Sequence, residues 1–141
     1  MSDMPETSCP LCRRRDEILL WQDEQCRIIA APQPAYPGFC RVIWHDHVRE
    51  MSDLAAEQRA HLMTVVWAVE AALRRALSPV KINLASLGNQ VPHLHWHVIP
   101  RFSDDAHFPD AVWAAPRRVG VEHPVDREML VRELQRRLAA M

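Results

Sequence analysis

His93-Leu94-His95-Trp96-His97-Val98-Ile99 alternates imidazole and apolar side chains for six positions before closing on a further apolar residue. Period-two alternation marks a strand, whose successive side chains leave opposite faces. Leu94, Trp96 and Val98 are thereby assigned to a core face. His93, His95 and His97 fall on the other face, about 6 to 7 Å apart at each alternate position. Three chemistries suit such a row. The imidazoles can be polar groups on a solvated sheet face. Two of them, at i and i+2, can share a metal ion, with the third diverging on a straight strand. Alternatively, a neutral imidazole, with a reference pKa of about 6.5, can attack phosphorus or carbonyl carbon. A backbone acceptor would then fix its tautomer, and a neighbouring imidazole would stabilise charge or protonate the leaving oxygen.

Working outward from the row, Lys81 to Leu87 reads as a strand, and Gly88 to Pro92 as the loop that reverses or offsets the chain before His93 to Arg101. Further upstream, Leu54, Gln58, Leu62, Val65, Val66, Val69, Leu73 and Leu77 recur at three- and four-residue steps. That spacing predicts a long helix with Ser52 as N-cap and Pro79 as terminator. The helix is core scaffold, and His61 on it receives no functional role. Glu17 to Trp21 and Arg27 to Ala30 suit a hairpin, and Phe39 to Trp44 a third strand. Beyond the row, a Pro-rich segment with Phe108 and Trp113 leads to Leu130, Val131, Leu134 and Leu138, which predict a C-terminal helix. Hairpins with few βαβ units indicate an α+β fold with a mainly antiparallel sheet, expected as a single domain over residues 1–141.

Seventeen Lys and Arg against eighteen Asp and Glu leave a formal charge of -1 on 141 residues, of which 48% are apolar. That balance argues against a nucleic-acid coat, which needs a net basic face. Gly38, Gly88 and Gly120 are too scattered for a P-loop or a dinucleotide fingerprint, so any phosphate chemistry must use other groups. The first residues lack a basic and apolar leader, and the apolar stretch Leu62 to Val69 stops at Glu70. The expectation is a cytoplasmic protein without membrane contact. Cys9, Cys12, Cys26 and Cys40 then read as thiols or metal ligands and not as a disulfide framework.

His-φ-His-φ-His-φ-φ, with φ apolar, is the signature of the histidine-triad family of nucleotide hydrolases and transferases, which residues 93 to 99 resemble throughout. Pro37-Gly38, the strand ending at Trp44, His47, the long helix and Asn83 follow in the family's order. The resemblance covers most of residues 9 to 102. It implies a homodimer that cleaves a bond to a nucleoside α-phosphate through a nucleotidyl-histidine. On this chain His95 would be the nucleophile, His97 would hydrogen-bond phosphate oxygens or the departing atom, and His93 would support them. Asn89 and Gln90 would donate to developing oxyanion charge, and Asn83 would lie near the phosphates, although an inward asparagine can equally satisfy backbone. Two departures bear on substrate. Gln90 stands where many relatives carry a hydroxyl residue, and Ala31 where relatives place an Asp or Asn for ribose, which implies an atypical substrate.

Cys9-Pro10-Leu11-Cys12 could by itself be a zinc half-site, a redox pair or two unrelated thiols. Family members with an N-terminal Cys-x-x-Cys complete a structural zinc site with a mid-chain histidine and the first triad histidine. By that resemblance the ligands would be Cys9, Cys12, His47 and His93, anchoring residues 1–15 to the triad strand, with His45 competing with His47.

Overall fold

The structure is a computed structural model and describes residues 6–141. Residues 1–5 of the expected anchoring segment lie outside the described residues. A short helix α1 (Pro10–Arg13) precedes β1 (Ile18–Gln22), β2 (Cys26–Ala30) and β3 (Cys40–Trp44). The long helix α2 (Ala56–Leu77) leads to β4 (Lys81–Ala85), β5 (His95–Arg101) and the C-terminal helix α3 (Arg127–Leu138). The five strands form one sheet in the order β1-β2-β3-β5-β4, with every neighbouring pair antiparallel. This is the expected α+β architecture.

Each sheet face is a separate compartment. Cys26, Ile28, Cys40, Val42, Trp44, Ile82, Leu94 and Val98 pack with Leu62, Val65, Val66, Val69 and Leu73 of α2 and Leu130, Leu134 and Leu138 of α3. The three- and four-residue spacing of both helices therefore does what the sequence implies. Trp96 is only half-buried against this core. Close approach of α2 to the sheet depends on Gly38, where a Cβ would come within 2.6 Å of Leu77 Cδ1 and 3.0 Å of Pro100 Cγ. Among the described residues no helix is long and apolar enough to cross a membrane.

Several boundaries differ from the sequence reading. Ser52 is not the N-cap of α2: it lies in a 3-10 turn over Met51–Asp53, and the helix starts after Ala55, whose N–H donates to Gln58 Oε1 at 2.8 Å. β4 ends at Ala85, not Leu87, and β5 begins at His95. His93 and Leu94 remain outside the strand because their neighbours are the end of β3 and the turn after it: Leu94 N–H donates to the Val48 carbonyl at 2.7 Å, and the Leu94 carbonyl accepts from Trp44 N–H at 3.1 Å. The hairpin between β1 and β2 is closed by Asp23, whose Oδ1 accepts from the Gln25 and Cys26 N–H groups. His61 on α2 meets Asp23 Oδ2 at 2.6 Å, tying that turn to the helix.

The histidine face is not solvated. At one end Cys9 and Leu11 pack on Ile29 and Ile43. At the other, Tyr36, Phe39 and Ile99 are joined by Val112 from the segment between β5 and α3. That segment, residues 102–126, is a strap held by Asp105, which accepts from Arg101 and from the N–H groups of Phe102, His107 and Phe108.

Candidate functional site

β5 supplies His95 and His97 to the covered face, and the turn before it supplies His93. Their exposures of 0% for His93, 8% for His95 and 6% for His97 remove the reading in which the row is solvent-facing decoration. The His93 carbonyl lies 2.6 Å from His95 Nδ1. A carbonyl only accepts, so Nδ1 carries the proton and the Nε2 lone pair of neutral His95 is left free. His97 stands 4.9 Å from His95, ring centroid to centroid, at an interplanar angle of 82°. Phe39 and Trp113 close on His97 at 5.6 and 5.1 Å.

Burial is the main cause that lowers all three imidazole pKa values. For His95 the bond to the His93 carbonyl opposes the shift, and the positive charge of Arg41 adds to it. His97 is lowered furthest, to about 4, by burial and then by His95 and Arg41. Both rings are therefore neutral at pH 7, the form in which imidazole is a nucleophile or a hydrogen-bond partner.

His93 faces away from its two companions. Its Nε2 donates to the Trp44 carbonyl at 2.6 Å, which turns the Nδ1 lone pair toward Cys9 Sγ at 3.4 Å, Cys12 Sγ at 3.5 Å and His47 Nδ1 at 3.2 Å. Cys12 Sγ and His47 Nδ1 are 3.3 Å apart. The four donor atoms all lie within 4.8 Å of one another. Donors around a tetrahedral zinc ion are separated by about 3.3 to 3.8 Å, so this set fits that ion. His45 does not belong to it: its Nε2 donates to the Asp23 carbonyl, and its Nδ1 meets Arg14. One metal centre using all three triad histidines is excluded by the same geometry, because His93 points to the cysteines.

The remaining expected residues are less converged. Asn83 shares the histidine face, in register with Ile99, but its side-chain carbonyl accepts from Arg101 Nη1 at 2.8 Å. Asn89 and Gln90 are exposed in the loop before His93, and neither side chain bonds another described residue. Ala31 packs beside Tyr36, Phe39 and Ile99. Cys26 and Cys40 are buried thiols held protonated, Cys40 being pushed up to about 12 by burial. Sequence reasoning missed Arg41, Trp113 and the pair Arg101–Asp105. Arg41 alternates with Phe39 and Ile43 on a predicted strand, so its face was readable, but its partner strand was not.

The chain belongs to the HIT domain family, whose match covers residues 13–104 and begins just after Cys12. A curated relative from Mycobacterium tuberculosis, named AP-4-A phosphorylase, is 28% identical over 74% of this chain and 61% of its own length. The chain thus spans about three-fifths of the curated relatives it matches. Among solved structures, a histidine triad protein from Bradyrhizobium japonicum superposes with a TM-score of 0.71 at 28% identity, covering 89% of this chain and 92% of that one. A second, from Sinorhizobium meliloti, gives 0.68 at 26% identity over 97% and 100%. A protein described as a Zn-bound histidine triad family protein, from Mycobacterium smegmatis, shares the fold with a TM-score of 0.66 at 24% identity over 96% of each chain.

Proposed function

We propose that the protein is a nucleotidyl hydrolase or transferase that cleaves a nucleoside phosphate bond, phosphoanhydride or phosphoramidate, through a nucleotide held covalently on His95. The observation that carries this reading is the 2.6 Å bond between His95 Nδ1 and the His93 carbonyl, which leaves Nε2 as the free base. Nε2 forms a bond to the α-phosphorus as the bond to the leaving atom breaks, the electron pair departing with the leaving group. Water then attacks the same phosphorus, the N–P pair returns to Nε2, and the water proton passes to solvent. In this reading His97 bonds phosphate oxygens or the departing atom, and Asn89, Gln90 and Asn83 supply amide N–H groups around the phosphates. Family membership and the name of the mycobacterial relative support nucleotide chemistry.

Cys9, Cys12, His47 and His93 would hold a zinc ion. Four protein ligands fill a tetrahedral shell, so the ion's contribution when bound is structural. It would fix His93, and the His93 carbonyl in turn fixes the His95 tautomer. By family resemblance the working unit is a homodimer, which sedimentation equilibrium checks.

The test is acid-labile nucleotidyl adduct formation on His95 during turnover of a dinucleoside polyphosphate or a nucleoside phosphoramidate. His95→Ala is expected to lower turnover by about 1000-fold or more with an unchanged circular dichroism spectrum. Parent-rate hydrolysis by that variant would remove His95 as nucleophile.

A further inference from the structure

Three arginines occupy the histidine face of the sheet, and two are neutralised. Arg27 bonds Glu17 at 2.9 Å and the Leu11 carbonyl at 2.6 Å. Arg101 bonds Asp105 at 2.9 and 3.0 Å and Asn83 at 2.8 Å. Arg41 stands between them on β3 with neither a carboxylate nor a hydrogen bond among the described residues, and its Nε is buried without a partner. Arg41 is half-buried, with Nε out of water; withdrawing part of a guanidinium from water without a counter-ion is unfavourable, and burial lowers its pKa. A site that retains such a group is completed by an anion that the described residues do not supply.

Register says where that anion lies. Arg41 is the direct cross-strand neighbour of His97, whereas the neighbour of His95 is Ile43. The unpaired charge therefore sits on the His97 side of the nucleophile. Building on the nucleotidyl-transfer reading above, we infer that Arg41 binds the departing phosphate and selects anionic phosphate leaving groups, that is phosphoanhydrides, over the amines of phosphoramidates.

The chemistry of the two bonds explains the selection. When His95 Nε2 displaces a phosphate, the P–O electron pair becomes a terminal phosphate oxygen, and charge neutralisation without a proton suffices. A guanidinium supplies that in bidentate form. When the leaving atom is an amine nitrogen, the P–N pair must take up a proton, and a guanidinium does not give one. Gln90, an amide, is no proton donor either. The exposed Trp113, whose ring lies edge-on to His97, adds apolar surface beside the same exit.

The experiment compares the parent, Arg41→Gln and Arg41→Lys on two substrates that present the same adenylyl group to His95, a diadenosine polyphosphate and adenosine 5′-phosphoramidate. Arg41→Gln is expected to lower kcat/KM for the phosphoanhydride by about 100-fold. The ratio of the two kcat/KM values should move at least about 30-fold toward the phosphoramidate, and Arg41→Lys should recover part of the shift. The thermal midpoint of Arg41→Gln should equal or exceed the parent's, because a cation without a partner among the described residues has been removed. An unchanged ratio, whether both substrates suffer equally or neither does, overturns the assignment. Pyrophosphate binding by calorimetry separates the two readings. If His95 forms no adduct but Arg41→Gln still weakens pyrophosphate at least about tenfold, the anion site stands and the nucleophile fails. If the adduct forms and pyrophosphate binding is indifferent to Arg41, the reverse holds.

Discussion

The His97 ring is enclosed by His95, Phe39 and Trp113, and its Nδ1 is buried with no hydrogen-bond partner among the described residues. Protonating it would place a cation beside Arg41, which is why burial and neighbouring charge hold its pKa at about 4. An unfolded chain binds that proton near pH 6.5, so between those values the unfolded state holds more protons than the folded one. The stabilising contribution is complete above pH 6.5 and is lost as pH falls toward 4, by up to about 3 kcal/mol. Nitrogen NMR of the histidine rings should report His97 neutral at pH 5.5, and urea titrations should show His97→Asn losing less stability than the parent from pH 7 to 4.5. A cationic His97 at pH 5.5 would contradict this. At this scale the sequence showed which residue types were present. It did not show that Arg41 has no partner among the described residues, which depends on where Glu17 and Asp105 fold.

The strap over residues 102–126 is the element least legible beforehand, because its prolines break periodicity and its hydrogen bonds run to distant residues. Arg118 Nη1 donates to the Asp105 and Phe108 carbonyls at 2.6 and 2.9 Å, and Val121 N–H to the Asp104 carbonyl at 2.9 Å. Gly120 lies so close to Ala106 that a Cβ would press on backbone atoms. Gly120→Ala should therefore lift the strap at a cost of about 1 to 3 kcal/mol, read as a lower thermal midpoint and faster amide exchange over residues 102–121. Since the strap carries Trp113 to His97, kcat/KM should fall in the same variant. Normal exchange in the strap would count against this docking role. α2 and α3, by contrast, were readable from the spacing of Leu62, Val66, Val69, Leu130, Leu134 and Leu138, because helix faces repeat locally.

Across the whole molecule, the N-terminal turn is tied down by the Cys9, Cys12, His47, His93 cluster and the Arg27 bond to the Leu11 carbonyl, beside the packing of Cys9 and Leu11 on Ile29 and Ile43. A zinc ion in that cluster would link residue 9 to residue 93, and structural zinc can contribute on the order of 10 kcal/mol. Purified protein should carry one zinc per chain by elemental analysis. Chelation should lower its thermal midpoint by about 10 °C or more, and Cys9→Ser should reproduce the loss. A chelator-treated chain with the parent's midpoint and no bound metal would show the cluster to be a hydrogen-bonded core instead.

By itself the sequence determined the periodicities: the two-residue alternation of the histidine strand, the helical spacing of the scaffold, the antiparallel α+β class and the residue types that suit phosphoryl transfer and zinc. These are local properties, set by where successive side chains point along one element. Only the tertiary structure decided that the histidine face is covered, that His47 and not His45 joins the cysteines, that His93 and His95 point different ways, and that Arg41 stands beside His97 with no partner among the described residues. Each of those depends on strand order, register and the path of loops, which arise from contacts between residues far apart in the chain.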